Sequence, residues 1–148
     1  MTCLVKWLGR CQYGASLAAM QSFTRERQPD TPDECWLLEH PPVYTLGRAA
    51  SLEHVRDTGD IPVVQADRGG QVTYHGPGQL IAYVLVDLRR AGLTVKSLVT
   101  GLELAVITLL ASYGIDGRQR PGAPGVYVAG AKISSLGLRV QRGCALHG

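Results

Sequence analysis

The chain has 148 residues, of which 45% are hydrophobic and 18% are charged, and its formal net charge is +3. These values are typical of one globular domain of ordinary size and exclude an extended disordered chain. No stretch is long or apolar enough to span a bilayer, and Met1–Lys6 lacks the apolar run of a secretory signal. We therefore predict a cytoplasmic protein that does not act at a membrane.

The first half of the chain alternates short strand patterns with one amphipathic helix. In chain order we predict a strand over Cys3–Leu8, a helix from about Tyr13 that is ended by Pro29 and Pro32, a strand over Cys35–Leu38, an extended segment over His40–Gly47, and strands over Ile61–Gln65, Val72–Tyr74 and Leu80–Val86. The apolar face of the helix consists of Leu17, Met20 and either Phe23 or Thr24. The last strand is nearly all apolar and is expected to be fully buried.

The longest helix pattern covers Thr94–Tyr113, with Thr94 as the N-cap and Gly114 as the C-terminal stop. Its apolar face is predicted to pack on a sheet through Leu98, Leu102, Ala105 and Leu109. Gly125–Val128 and Lys132–Val140 then predict a hairpin. Grouped strands with only two substantial helices favour an α/β (α+β) fold with a mixed or antiparallel sheet and flanking helices, in a single domain over residues 1–148.

The four cysteines, at positions 3, 11, 35 and 144, indicate neither a metal site nor a disulfide framework. They form no Cys-x-x-Cys pair and have no histidine at ligand spacing, so each is interpreted as a reduced thiol. We predict no metal and no cofactor.

The second part of the chain is basic, because residues 91–148 carry six Lys/Arg against two Asp/Glu. These basic side chains are suited to binding an acidic partner. It is equally good to interpret each of them as a solvated residue of a strand edge or loop; they are Arg118, Arg120, Lys132, Arg139 and Arg142. A nucleic-acid partner is not expected, since the charge is modest, aromatic residues are sparse and the Arg-Gly-Gly triplet occurs once.

The densest run of chemistry is Arg68-Gly-Gly-Gln-Val-Thr-Tyr-His-Gly-Pro-Gly-Gln79, which places four glycines, an arginine and a histidine beside a buried strand. Glycines let a backbone approach a ligand and turn its N–H groups toward an oxygen, while Arg68 and His75 offer side-chain donors. We interpret the run as a substrate cradle. Of the four histidines only His75 is assigned a functional role, either to orient the loop or to donate to a ligand carbonyl.

Lys132 follows a glycine-containing turn at the head of a strand, from which a lysine can reach into a cleft. Beside a thiol its ammonium would favour the thiolate and handle protons, whereas a surface hairpin lysine is the plainer interpretation. A phosphate-binding P-loop is excluded, because Ala131 stands between Gly130 and the lysine and the preceding segment is strand-like.

Three blocks in order resemble the octanoyltransferases of lipoate biosynthesis: Arg68–Gln79, Ala123-Pro-Gly-Val-Tyr-Val128, and Lys132-Ile-Ser-Ser-Leu-Gly-Leu-Arg139 leading into His147-Gly148. The likeness extends upstream through Trp36–Thr45 and Gly59–Val64 and so covers essentially the whole chain. It implies the α/β fold with a mixed sheet that biotin and lipoate protein ligases share.

The resemblance also implies an activity and its partners. An octanoyl group would move from octanoyl-acyl carrier protein to a lysine of lipoyl domains, those of the 2-oxoacid dehydrogenases and of the glycine cleavage H protein. A cysteine would form a thioester with the acyl group, and Lys132 would keep that thiol ionised and transfer protons.

The substrate-binding residues that the resemblance implies lie in three segments. They are Arg68, Gly69, Gly70, Gln71, Val72, Thr73, Tyr74 and His75 in the cradle, then Ser135, Leu136 and Gly137, and finally Gly148.

The chain departs from the family pattern at the nucleophile. The family's cysteine lies in a Pro-Cys-Gly-like segment C-terminal to the His-Gly dipeptide, and this sequence stops at Gly148, so we expect a C-terminally incomplete domain without it. Cys144 is an alternative that we do not favour, because Cys144 and His147 would point to opposite faces of a strand. Two rival functions remain open: an ATP-dependent lipoate or biotin protein ligase, and an inactive fragment that binds an acyl group or its carrier.

Overall fold

A computed structural model describes residues 2–148, which group into two compact units. Unit 1 comprises Met1–Ala91 and Gly137–Gly148, and unit 2 comprises Gly92–Leu136. Two helices and eleven strands occur in the described residues in the order β1 (Cys3–Arg10), α1 (Tyr13–Glu26), β2 (Asp33–Glu39), β3 (Val43–Leu46), β4 (Val63–Gln65), β5 (Val72–His75), β6 (Ile81–Asp87), α2 (Val95–Ser112), β7 (Arg118–Gln119), β8 (Val126–Val128), β9 (Ala131–Ser134), β10 (Leu138–Gln141) and β11 (Cys144–His147), with a 3-10 turn at Leu52–His54. The single-domain assignment stays a prediction.

The larger sheet of unit 1 is mixed, as the sequence predicted. Its strand order is β1-β2-β6-β11-β10, with β1 parallel to β2 and every other neighbouring pair antiparallel. Helix α1 covers one face, where the fully buried side chains of Met20, Leu38, Leu85 and Leu146 form one cluster. Burial of each such side chain contributes about 1.5 to 3 kcal/mol, which makes this face the core of the unit.

The smaller sheet of unit 1 carries the glycine-rich run. Its order is β4-β3-β5, with β3 parallel to β4 and antiparallel to β5. The extended segment predicted for His40–Gly47 is interrupted by a bend at Pro41 and Pro42, and β3 starts only at Val43. The cradle therefore begins in the loop between β4 and β5 and includes β5 itself.

Unit 2 consists of α2 and a small antiparallel sheet of order β7-β8-β9. Thr94 caps α2 as predicted, because its hydroxyl accepts from the Ser97 N–H and the Ser97 side chain accepts from the Thr94 N–H. Gly114 follows the helix at φ +72°, a left-handed conformation that glycine adopts without strain.

Three expectations for the second part of the chain are wrong. Ala105 and Leu109 are exposed, because the buried face of α2 runs through Leu98, Glu103 and Leu110. The strand predicted for residues 132–140 is divided, since β9 ends at Ser134 and β10 begins at Leu138 in another sheet.

The third error concerns the membrane. Helix α2 spans 18 residues with a mean hydropathy of 1.6, which is long and apolar enough to cross a bilayer by length and composition. Core helices of soluble proteins meet the same two criteria, so this finding alone assigns no location.

Candidate active site

The cradle is held against the end of β3 by main-chain hydrogen bonds. The N–H groups of Gly47, Arg48 and Ala49 donate to the carbonyls of Gln71 (3.1 Å), Arg68 (3.0 Å) and Gly70 (3.0 Å). A Cβ atom at position 47 would overlap the Gly70 carbonyl oxygen and lie 2.7 Å from Arg68 Nη1. Glycine is thus required here for the close approach of two backbones.

The guanidinium of Arg68 is directed into the protein. Arg68 is 8% exposed, and its Nη2 donates to Thr45 Oγ1 (2.7 Å), to the Thr45 carbonyl (2.9 Å) and to the Gln71 carbonyl (3.1 Å), while Nη1 donates to the Gly69 carbonyl (2.8 Å). No carboxylate of residues 2–148 forms an ion pair with it. A buried charge needs polar partners, and here they are the hydroxyl and carbonyl of Thr45 in β3 and two carbonyls of the loop.

His75 extends the same hydrogen-bond chain. Its Nε2 lies 3.1 Å from Thr45 Oγ1 and its Nδ1 lies 2.7 Å from Gln79 Oε1. Since Arg68 already donates to the Thr45 oxygen, the hydroxyl proton is free to go to Nε2, and Nδ1–H then donates to Gln79. Burial, opposed by the Gln79 hydrogen bond, lowers the pKa of His75 to about 4, so the ring is neutral at pH 7. This geometry suits the orienting role of His75, while its contact with substrate stays a prediction.

The free donors of the cradle are main-chain groups. The N–H of Gly69 donates to the Leu138 carbonyl (3.0 Å), whereas those of Gly70 and Gln71 donate to no acceptor within residues 2–148. Both residues are exposed and adjacent, and Gly70 has φ +84°. Two neighbouring N–H groups fixed by a locked loop can bind one oxygen of a ligand.

Gly137, in the second implied segment, lies against the cradle, and Gly148, in the third, is hydrogen-bonded to Gly137. The Gly137 N–H donates to the Gly148 carbonyl (2.7 Å), and a Cβ at Gly137 would lie 3.0 Å from Arg68 Cδ. A Cβ at Gly148 would overlap the Ala82 carbonyl oxygen of β6. The structure thus brings together Arg68, Gly69, Gly137 and Gly148 in unit 1.

A half-buried cluster of Asp67, Arg139 and His147 lies next to the cradle and was not predicted from the sequence. His147, 1% exposed, places Nε2 2.6 Å from Asp67 Oδ1, and Arg139 pairs with Asp67 Oδ2. Burial lowers the pKa of His147 despite the bond to Asp67. Burial alone would raise the pKa of Asp67, but its bonds to His147 and Gln21 and the charges of His147 and Arg139 together lower it. The only signal in the sequence was the position of Asp67 directly before Arg68.

Lys132 is the second residue of β9 in unit 2, close to the strand start that was predicted, and is exposed. Its Nζ donates to the Pro124 carbonyl (3.1 Å) and lies 5.3 Å from the ring centroid of Tyr127. Ser135 and Leu136 follow β9 outside any strand. Glu103, a buried carboxylate on α2 in the same unit, was not predicted from the sequence. The roles of Lys132, Ser135 and Leu136 in the site stay predictions.

Cys144 lacks the features of an activated thiol. It is buried, and burial is the largest of the effects that raise its pKa. His147, three residues later in β11, is directed to Asp67. All four cysteines are free thiols, and no cluster of metal-ligating side chains occurs in the described residues.

Comparison with known proteins gives consistent results. A family profile described as "Lipoyl protein ligase A/B catalytic domain" matches residues 12–148. The chain is 60% identical over 144 residues to a protein named octanoyltransferase from Alkalilimnicola ehrlichii, and the match covers 97% of this chain and 67% of that protein. The chain thus spans about two thirds of the length of this relative.

Two solved structures share the fold. One is the crystal structure of lipoate-protein ligase A bound with ATP, with a TM-score of 0.76 and 19% identity over 99% of this chain and 65% of that one. The other is a bipartite lipoate protein ligase, studied with its E2 lipoyl domain, from Thermoplasma acidophilum, with a TM-score of 0.75 and 19% identity over 99% of this chain and 60% of that one. At this identity the likeness concerns the fold.

Proposed function

Because the chain belongs to the lipoyl protein ligase A/B catalytic domain family and is similar to octanoyltransferases, which are acyltransferases, we propose that it binds an octanoyl thioester for transfer to a protein lysine. The observation that carries this proposal is the pair of N–H groups at Gly70 and Gln71, which donate to no acceptor within residues 2–148 and lie on a loop held by Arg68 and Thr45. Such a pair suits the carbonyl oxygen of a thioester, which becomes an oxyanion when the carbonyl carbon is attacked.

The reaction consists of two acyl transfers. A cysteine thiolate attacks the thioester carbonyl of octanoyl-acyl carrier protein, the carrier thiol leaves, and an acyl-enzyme thioester forms. The ε-amine of the acceptor lysine then attacks that thioester, the enzyme thiolate leaves, the proton of the amine passes to the neutral Lys132, and an amide results. Lys132 supplies the proton that the carrier thiol takes up and stabilises the thiolate. The family pattern has its nucleophilic cysteine C-terminal to a His-Gly dipeptide like His147-Gly148, and we do not assign that role to Cys144.

The acceptor is a lipoyl domain, of a 2-oxoacid dehydrogenase or of the glycine cleavage H protein. The family resemblance and the lipoyl domain studied with the Thermoplasma acidophilum ligase support this choice. We place the reaction in the cytoplasm.

Calorimetry and mass spectrometry test this proposal. The chain is titrated with octanoyl-acyl carrier protein and, as the matched control, with the same carrier without its acyl group. We expect tighter binding of the loaded carrier and no octanoyl group on any of the four cysteines. Equal affinity for both carriers would contradict acyl recognition, and a stable adduct on Cys144 would overturn the assignment of the nucleophile.

The ATP-dependent ligase is the second candidate, because the fold is shared with a ligase that binds ATP. It predicts that lipoyl-domain modification with free octanoate requires ATP. The octanoyltransferase proposal predicts that free octanoate is no donor, with or without ATP. The inactive fragment differs from both, since it binds the loaded carrier without contributing to transfer.

A further inference from the structure

One peptide group in unit 2 is hydrogen-bonded at both of its ends. The N–H between Pro124 and Gly125 donates to Glu103 Oε1 (2.8 Å), and the carbonyl of the same peptide accepts from Lys132 Nζ (3.1 Å). The ammonium is thereby linked through a single peptide unit to a carboxylate that it does not touch.

Glu103 is the only buried charged side chain of α2. It is 7% exposed, and its second oxygen accepts from Gln119 Nε2 (2.7 Å). Within residues 2–148 it forms no ion pair. A buried carboxylate is costly without donors. Glu103 accepts one hydrogen bond from Gln119 in β7 and one from Gly125, directly before β8.

The main chain at Gly125 has little room to move in this arrangement. Its φ is +132°, and a Cβ there would lie 2.5 Å from the Ser134 carbonyl oxygen and 3.2 Å from Lys132 Cε. The peptide therefore lies directly against β9 and the lysine stem. The N-terminal capping box of α2 fixes the helix that carries Glu103.

We propose that Glu103 is a positioning residue for Lys132, acting through the Pro124–Gly125 peptide. A charged acceptor on the N–H polarises the peptide and strengthens its carbonyl as an acceptor for the ammonium. This inference rests on the proposed function, in which Lys132 handles protons. Glu103 itself touches no reacting atom.

The test is the rate at which each lysine is acetylated by N-acetoxysuccinimide. The chain has three lysines, Lys6, Lys96 and Lys132, so peptide mass spectrometry resolves every one of them. In Glu103→Gln we expect acetylation of Lys132 to rise about threefold, the effect of weakening one hydrogen bond. In Glu103→Ala, which removes both acceptors, the rise should be larger, while Lys96 on the same helix keeps its rate.

Gln119→Ala is the matched control, since it removes the other partner of Glu103 and leaves the Gly125 bond. Lys132 should then react at the wild-type rate. The amide proton of Gly125, followed by NMR, should move upfield in Glu103→Gln and in Glu103→Ala but not in Gln119→Ala. An unchanged Lys132 rate in both Glu103 variants, or an equal rise in Gln119→Ala, would overturn the proposal.

Acetylation separates this inference from the proposed function, because it needs neither donor nor acceptor protein. If Lys132 responds to Glu103 but Lys132→Met leaves octanoyl transfer unchanged in a form of the protein that turns over, the positioning stands and the proton-handling role fails. If octanoyl transfer depends on Lys132 but the acetylation rate of Lys132 is unchanged in the Glu103 variants, the proton-handling role stands and the positioning fails.

Discussion

The cradle of unit 1 and the hairpin of unit 2 hold their charged groups in opposite ways. In the cradle the cation of Arg68 is buried and bonded to the protein, so that the free donors are the main-chain N–H groups of Gly70 and Gln71. In the hairpin the ammonium of Lys132 is exposed and held by one carbonyl. In the proposed reaction the difference matches two tasks: a rigid backbone positions a carbonyl oxygen, and an exposed ammonium held by a main-chain carbonyl transfers protons.

The largest effect is expected from Gly47→Ala. The new Cβ meets main-chain atoms of the cradle that cannot move aside, so unfolding free energy should fall by about 3 kcal/mol. Urea unfolding measures this change. Gly101→Ala in α2 is the matched control, because no atom lies within 4 Å of its Cβ position, and it should stabilise by about 0.5 to 1 kcal/mol. Equal losses of unfolding free energy in both variants would contradict the difference between a rigid cradle and a unit 2 that accepts the added methyl group.

Arg68→Lys should be the next most damaging change. Lysine keeps the charge but cannot reach the four acceptors of the guanidinium fork, so buried carbonyls lose their donors and stability falls by about 2 to 3 kcal/mol. Thermal unfolding followed by circular dichroism checks this. The control Arg48→Lys changes an exposed arginine beside the same loop and should leave stability as it is.

Acid should destabilise the protein through its buried histidines. The folded pKa of His75, about 4, lies below the ordinary value of 6.5, so the unfolded chain binds more protons as pH falls through 6.5. The stability from His75 is complete above pH 6.5, is lost down to about pH 4, and has fallen by about 2 kcal/mol at pH 5. Burial lowers the pKa of His40 and of His147, which adds loss in the same direction.

Unfolding at pH 7.5 and pH 5 compares the chain with His75→Gln, which should lose about 2 kcal/mol of this pH dependence. His54→Gln, at an exposed position, should retain all of it. Identical pH dependence in His75→Gln and the wild type would show that His75 is not held neutral.

The smallest effect concerns unit 2 alone. Thr94→Ala removes the hydroxyl that accepts from the Ser97 N–H, leaves the bond from the N–H of residue 94 to the Ser97 hydroxyl, and should cost about 1 kcal/mol. Hydrogen exchange should quicken in α2 and stay constant in β6. Faster exchange in β6 as well would mean that the cap of α2 stabilises the cradle's unit too.

Local signals in the sequence predicted local structure. Thr94 and Gly114 marked the ends of α2, and the apolar run before Asp87 marked β6, because caps and hydrophobic runs act over a few residues. The face of α2 was predicted wrongly, since Leu-rich helices offer several apolar stripes of similar strength and a charged residue such as Glu103 is not expected on the buried one. The division of residues 132–140 follows from the contact of Gly137 with Arg68, which is distant in sequence.

The cradle was found from its glycines, but its internal bonds were not. Thr45 lies 23 residues before Arg68, and Asp67 lies 80 residues before His147. Such pairs depend on how strands align, which composition and periodicity do not specify. The sequence therefore indicated that Arg68 and His75 are important, and the structure gives their hydrogen-bond partners.

The most direct measurement is a 15N NMR titration of the chain with S-octanoyl-pantetheine. The amide protons of Gly70 and Gln71 should move downfield as they bind the thioester carbonyl, whereas that of Gly69, already bonded to Leu138, should stay in place. Shifts that spare Gly70 and Gln71 while octanoyl-pantetheine binds elsewhere on the chain would contradict a main-chain cradle for the acyl group.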